Sequence, residues 1–327
     1  MSHLIRVGVL RGGPGPEHEH SLGSGAAVIH AIQERLTDRY EPHDIFISRS
    51  GQWKYDGEEM EIGELPARVD LVFNALRGHF GEDGKIQSLL QSMHVPQTGS
   101  DTLASVLGIN KLMAKKIFKD NGLPSPYFQV LSSEEIIRDP IAVVRKLFQS
   151  LLLPAIVKPV SGGSQLGMSV VCDYGSLPDA LVKAARQGRE VILEEYVQGE
   201  EASCLVIENF RGQDLYTLPP IEIRRQRVAL HKVADHHHKS EIIIPSSFSA
   251  KIKAAIEATA RKIHGLFGLR HYSKSDFIIH PKRGLIVLEV NTGTGFTDNS
   301  LLPKALHSVG SDLAEFVEHV LEMTRGR

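Results

Sequence analysis

Short apolar, β-branched runs alternate with helical stretches over residues 1–98, and this alternation restricts the chain to parallel strands joined by helices. IRVGVL reads as a buried strand, a Gly/Pro-rich turn follows, and SGAAVIHAIQERL has the apolar spacing of a helix. VDLVFNAL (69–76) repeats the pattern as a second buried strand, followed by the turn RGHFGEDG and the helix KIQSLLQSM. An open βαβ sheet is therefore expected first. No internal repeat or low-complexity tract interrupts the chain.

A different pattern takes over beyond Thr98 to Asp101, where a domain boundary is expected. SVLGINKLMAKKIFKDNG predicts one helix ending at Gly122, because the prolines of LPSP stop its continuation. AIVKPV and MSVVCD flank a Gly-rich turn, a helix is predicted near 177–187, and VILEEYV and EASCLVIE add strands of a mixed sheet. Residues 249–267 form an amphipathic helix, KSDFII and GLIVLEVN pair through a turn at HPKRG, and SDLAEFVEHVLEMT is the last helix. A chain of 327 residues that is 42% hydrophobic can bury two or three cores. The expected units are 1–98, 99–190 and 191–327.

Charge balance excludes several functions. The 37 basic and 39 acidic residues nearly cancel, so no global field draws nucleic acid or an anionic membrane, and a small-molecule partner is expected. The segment MSHLIRVGVLRGG has neither a charged n-region nor a cleavage site, and no apolar stretch could span a bilayer, which points to the cytoplasm. Cys172 and Cys204 both lie in apolar runs and are expected to be buried thiols. His236, His237 and His238 lack a second cluster at metal-ligand spacing and read as a loop.

Three motifs carry chemistry. Glu289 and Asn291 are two apart on a strand and so share a face, where Asp276 of the partner strand can join them. Such oxygens suit a hard cation shared with nucleotide phosphates, although a solvated strand face gives the same spacing. In KPVSGGSQLGMS, Gly162, Gly163, Ser164 and Gly167 follow a strand bearing Lys158. That loop can aim backbone N–H groups and a lysine at a polyphosphate, or serve as an ordinary hairpin turn; it lacks the P-loop order. GVLRGGPGPEHEHS fails the dinucleotide-binding spacing, and its Glu17 and Glu19 are either ligands for an ammonium group or acids placed at a helix start.

Read in order, these segments resemble the D-alanine–D-alanine ligase family of ATP-grasp enzymes over nearly the whole chain. The resemblance rests on GGPGPEHEHSLGSG, ALRGHFGEDGKIQ, TGSDTLASVLGINKLMAKK, IVKPVSGGSQLGMS, LEEYVQGEE, SKSDF and LEVNTGTGFTDNSLLPKA. It implies an α/β ATP-grasp fold preceded by an open parallel-sheet domain, with ATP and amino acids as ligands, two Mg²⁺ ions that Mn²⁺ can replace, and a homodimer. Matching positions imply that Lys111 and Lys158 contact the phosphates, while Glu194, Glu195, Val197 and Glu201 bracket adenine and ribose. Asp276, Glu289 and Asn291 would hold the metal, and Glu17 the ammonium of the first amino acid. Ser164, Gly295, Ser300 and Leu301 would orient the second.

Three positions depart from the family pattern. Arg77 stands where the family has a substrate-side histidine. Lys274 replaces the arginine that stabilises the tetrahedral intermediate, keeping the charge but losing the bidentate fork. Between Ile223 and Pro245 the lid reads RRQRVALHKVADHHHKSE in place of the tyrosine-bearing YEAKY stretch, with Lys232 standing in for the family's phosphate-contacting lysine. The implied reaction joins two D-alanine molecules through an acyl-phosphate, with a different amino-acid pair or an inactive nucleotide-binding relative as the alternatives.

Overall fold

Five strands, β1 (Ile5–Gly12), β2 (Tyr40–Ile47), β3 (Trp53–Tyr55), β4 (Glu58–Glu59) and β5 (Leu71–Asn74), form the first sheet in the order β4-β3-β2-β1-β5. The computed structural model describes residues 4–148, 150–160, 167–225 and 240–326. β2, β1 and β5 run parallel, as the βαβ alternation predicts, and β3 and β4 add an antiparallel edge. Both faces are covered: Val7 and Val9 enter one core while Leu10 enters another, following the two-residue period of a strand. The helix His18–Arg35 crosses over between β1 and β2, so Glu17 stands at its N-cap position, at the end of the turn that follows β1.

The second sheet is antiparallel throughout and joins β6 (Phe128–Ser132), β7 (Ala155–Pro159), β8 (Ser169–Val171) and β9 (Glu190–Glu195) in the order β6-β9-β7-β8. It has a core of its own, built from residues such as Ile136, Leu147, Val157, Leu181 and Val191. β9 pairs with β6 and β7, so the central sheet runs through Glu195 and the next sheet begins at Glu200. Val191 and Leu193 of VILEE lie in the central core.

β10 (Glu200–Phe210), β11 (Gln213–Thr217), β12 (Ile221–Arg225), β13 (Ser240–Ile243), β14 (Tyr272–His280) and β15 (Gly284–Asn291) make the third sheet, ordered β13-β12-β10-β14-β15 with β11 beside β10. One of its faces packs against the helix Ala250–Leu266. The other shares a core with the first sheet: Val7, Val9 and Phe73 cluster with Leu205, Ile207, Tyr272 and Phe296, and with Phe316, Val317 and Val320 of the last helix.

Two expectations fail for local reasons. The single helix expected before Gly122 is two, Thr102–Ile109 and Lys111–Asp120. Asn110 between them has extended backbone, and its side-chain oxygen accepts from the Leu112 and Met113 N–H groups, so it ends one helix and caps the next. Cys172 is exposed, because β8 ends at Val171 and the chain turns outward there; Cys204 is buried as expected, and burial pushes its thiol pKa up. Among the described residues no helix is long and apolar enough to cross a membrane.

Candidate active site

β14 and β15 lie side by side with Asp276 opposite Glu289 and Lys274 opposite Asn291, so strand alternation brings all four side chains to one face. Asn291 Nδ2 stands 3.3 Å from Asp276 Oδ2 and 3.3 Å from Glu289 Oε1. Lys274 Nζ lies 2.5 Å from Asp276 Oδ2, and Ser203 on β10 donates to Asp276 Oδ1 at 2.5 Å. An amide nitrogen between two carboxylates marks a point of converging negative potential, and rotating that amide would turn its oxygen to the same point. Two carboxylates and an amide are hard donors suited to a divalent cation. Among the described residues no group of three or more His, Cys, Asp or Glu could hold a metal ion. A cation here would need water or phosphate oxygens to complete its shell, which is the habit of Mg²⁺.

Beside this face opens a cleft lined by Lys111, Lys115, Lys158, Glu289 and Asn291, with Glu82 also on its wall. Lys111 is the first residue of its helix, where cationic side chain and helix N-terminus both favour an anion. Burial pushes its ammonium pKa down, opposed by the charge of Glu289. Leu288 also lines the cleft and packs with Val197, Ile278 and Ile286, which gives the site an apolar wall.

The acids expected around adenine and ribose point to basic partners. Glu194 is buried, with one oxygen 2.6 Å from Lys115 Nζ and the other 3.1 Å from Lys158 Nζ. Glu195 pairs with Arg283 at 2.5 Å, and Glu201 with Arg225 at 2.8 Å.

On the substrate side, Arg77 Nη1 lies 2.9 Å from Glu82 Oε1, and its Nε lies 3.9 Å from Glu17 Oε2. Gly78 N–H donates to Glu82 Oε2 at 2.8 Å. Burial raises the Glu17 carboxyl pKa, Arg77 opposes this, and Glu82 and Glu289 add repulsion, so Glu17 feels the charge on β15. Glu17 and Glu82 thus share one guanidinium, that of Arg77. The loop after β15 closes over it: the Phe296 N–H donates to Ser24 Oγ at 3.3 Å, and Thr297 Oγ1 lies 2.9 Å from Ser300 Oγ. Ser300 is the N-cap residue of the helix Leu301–His307, and Leu301 packs on the shared core. Ser164 and Lys232 lie outside the described residues, as do Gly162, Gly163 and His236, His237 and His238.

Two glycines of this loop have no room for a side chain. A Cβ on Gly295 would stand 2.3 Å from Ser300 Oγ, and one on Gly293 would stand 2.0 Å from Glu82 Oε1 and 3.0 Å from Arg77 Nη1. Gly293→Ala should therefore displace the Arg77–Glu82 pair, at a cost of about 1–3 kcal/mol. A melting curve several degrees lower, with turnover reduced at least about tenfold, is the expected result. Wild-type melting and turnover would show that the loop yields freely.

Sequence reading missed Lys115, Glu82, Ser203 and Gly293. Lys115 follows Lys111 by four residues on one helical face, and that spacing was a usable signal. The others require three-dimensional proximity.

A family model described as the D-ala D-ala ligase C-terminus matches residues 117–322. A D-alanine–D-alanine ligase of Cupriavidus pinatubonensis is 33% identical over 97% of this chain and 91% of its own length. That of Carboxydothermus hydrogenoformans is 33% identical over 97% of both chains. Among solved structures, the VanG D-Ala:D-Ser ligase of Enterococcus faecalis superposes with a TM-score of 0.86 at 26% identity, over 98% of this chain and 100% of that one. The D-alanyl-alanine synthetase A of Vibrio cholerae shares the fold, with a TM-score of 0.86 at 22% identity over 100% of each chain.

Proposed function

The chain belongs to the D-alanine–D-alanine ligase family, and on that footing we propose how its residues divide the reaction among them. The protein is an ATP-dependent ligase with an ATP-grasp fold, forming the carbon–nitrogen bond of D-alanyl-D-alanine for peptidoglycan precursor synthesis. It uses ATP and a divalent cation. One observation carries the residue assignment: a single cleft is lined by Lys111 and Lys158 together with Glu289 and Asn291.

In this reading a carboxylate oxygen of the first D-alanine attacks the γ-phosphorus and ADP leaves. The amine of the second D-alanine then attacks the acyl carbon, loses a proton and expels phosphate. Glu17 receives the ammonium of the first amino acid, and Arg77, held by Glu82, limits the negative charge that the ammonium meets. Lys111 and Lys158 face the transferring phosphates. Lys274 offsets the charge that develops on the acyl oxygen. Gly295, Ser300 and Leu301 shape the place of the second amino acid. Asp276, Glu289 and Asn291 would hold two Mg²⁺ ions, for which Mn²⁺ can substitute, and these ions neutralise phosphate charge when bound. Catalysis is then mainly positioning and electrostatics. Glu195, Val197 and Glu201 border the nucleoside, the two acids exchanging their arginines for its polar groups. A homodimer working in the cytoplasm completes the proposal and rests on the family resemblance.

The decisive experiment is ADP release from ATP over a panel of D- and L-amino acids, with the products identified by mass. D-alanine should stimulate release and give the dipeptide, whereas L-alanine should not. A mixed dipeptide with D-serine, formed in preference to D-alanyl-D-alanine, would reassign the second-substrate site. Failure of every amino acid to stimulate release would sink the residue assignments together.

A further inference from the structure

Lys115 has no part in the reaction as described, yet it lines the same cleft as Lys111 and Lys158. Its side chain is 2% exposed, as is that of Glu194, whose two oxygens divide between Lys115 at 2.6 Å and Lys158 at 3.1 Å. Lys115 Nζ also lies 5.2 Å from the centre of the Phe128 ring, on β6 of the central sheet. One carboxylate therefore joins a helix that opens the cleft to two strands of the central sheet, β7 and β9. Burying a third charge is expensive, and a Lys158–Glu194 pair would already satisfy the acid. The cost falls on Lys115 and the gain on Glu194. Burial pushes the Lys115 ammonium pKa down, and the Glu194 carboxyl, which burial would raise, is drawn below its ordinary range by Lys158 and Lys115.

We propose that Lys115 is a positioning residue that shares Glu194 with Lys158 and so keeps the Lys158 ammonium available to the phosphates of ATP. Two ammoniums against one carboxylate leave a net charge of +1 facing the cleft. Without Lys115 the remaining pair is neutral, and Glu194 holds Lys158 for itself. Without both Lys115 and Glu194, the single charge of Lys158 is restored. This inference rests on the ligase reading, because it assumes that ATP occupies the cleft.

The test is a double-mutant cycle read by calorimetric binding of ATP with Mg²⁺ to the full chain, which needs no turnover. Lys115→Met should weaken binding at least about tenfold, while adding Glu194→Gln to it should recover at least about threefold of that loss. Glu194→Gln alone, which frees both lysines but also alters a group that the family resemblance sets beside the nucleoside, should weaken binding less than Lys115→Met does. In steady state the Lys115→Met loss should appear in KM for ATP rather than in kcat. A merely structural role predicts losses that add in the double variant and fall on the melting temperature alone. Additive losses overturn the proposal, and Glu194→Gln binding at least about ten times more weakly than wild type overturns it even if Lys115→Met fails to fold. Wild-type protein that binds no ATP overturns the ligase reading and this proposal with it; wild-type binding with an additive cycle overturns this proposal only.

Discussion

Glu289→Gln should lower turnover by about three orders of magnitude while leaving the melting temperature within a few degrees of wild type. The carboxylate is partly exposed on β15, and its hydrogen-bonding neighbour is the Asn291 amide 3.3 Å away, so an isosteric amide removes charge without creating a cavity. What is lost is charge at the point where Asp276, Glu289 and Asn291 converge. Metal-based charge stabilisation contributes several kcal/mol, and about 4 kcal/mol corresponds to about 10³ in rate. Coupled ADP-release kinetics at saturating Mg²⁺, paired with a thermal melt, decide the matter. Retention of more than about a tenth of wild-type turnover would remove Glu289 from the metal-binding set.

Lys274→Met has the second-largest expected effect and separates two roles. The ammonium sits 2.5 Å from Asp276, on the same sheet face as Glu289 and Asn291, so it could either orient Asp276 or stabilise charge on the acyl group. If it acts on the developing charge, kcat should fall about 10²–10³-fold, with KM for ATP unchanged within about threefold. Lys274→Arg should then keep most of the activity, since guanidinium supplies the same charge with a planar fork. A raised KM for ATP with unchanged kcat would instead place Lys274 on the nucleotide side. Loss of activity in Lys274→Arg comparable to that in Lys274→Met would show that the fit of the ammonium to Asp276 matters more than its charge.

The convergence of Asp276, Glu289 and Asn291 was legible in the sequence because its geometry is local: a period of two puts Glu289 and Asn291 on one face, and a short turn fixes the register with Asp276. Lys111 and Lys158 gained their meaning from motif order, and the structure brings both to one cleft. Lys115 shares a helical face with Lys111, but KLMAKKIFKD reads equally as a helix with a solvated basic face, and the burial of Lys115 depends on Glu194, far away in sequence. The ion pair of Arg77 with Glu82 depends on a loop that bends back on itself, including Phe80 at a φ of 74°. The helix break at Asn110 was legible in principle, since an asparagine before a run of helix formers is a cap signal. Cys172 was misread because an apolar run says nothing about where its strand ends.

The core that Val7 and Phe73 share with Phe316 and Val320 has a consequence for how the chain is made. The first sheet emerges from the ribosome well before the helix Leu313–Arg325 that covers one of its apolar faces. At about 5–20 residues per second, that face waits about 10–50 s for its cover. The central sheet, whose core is its own, can close during the interval. Until the helix Leu313–Arg325 emerges, the first sheet keeps an apolar face without this cover.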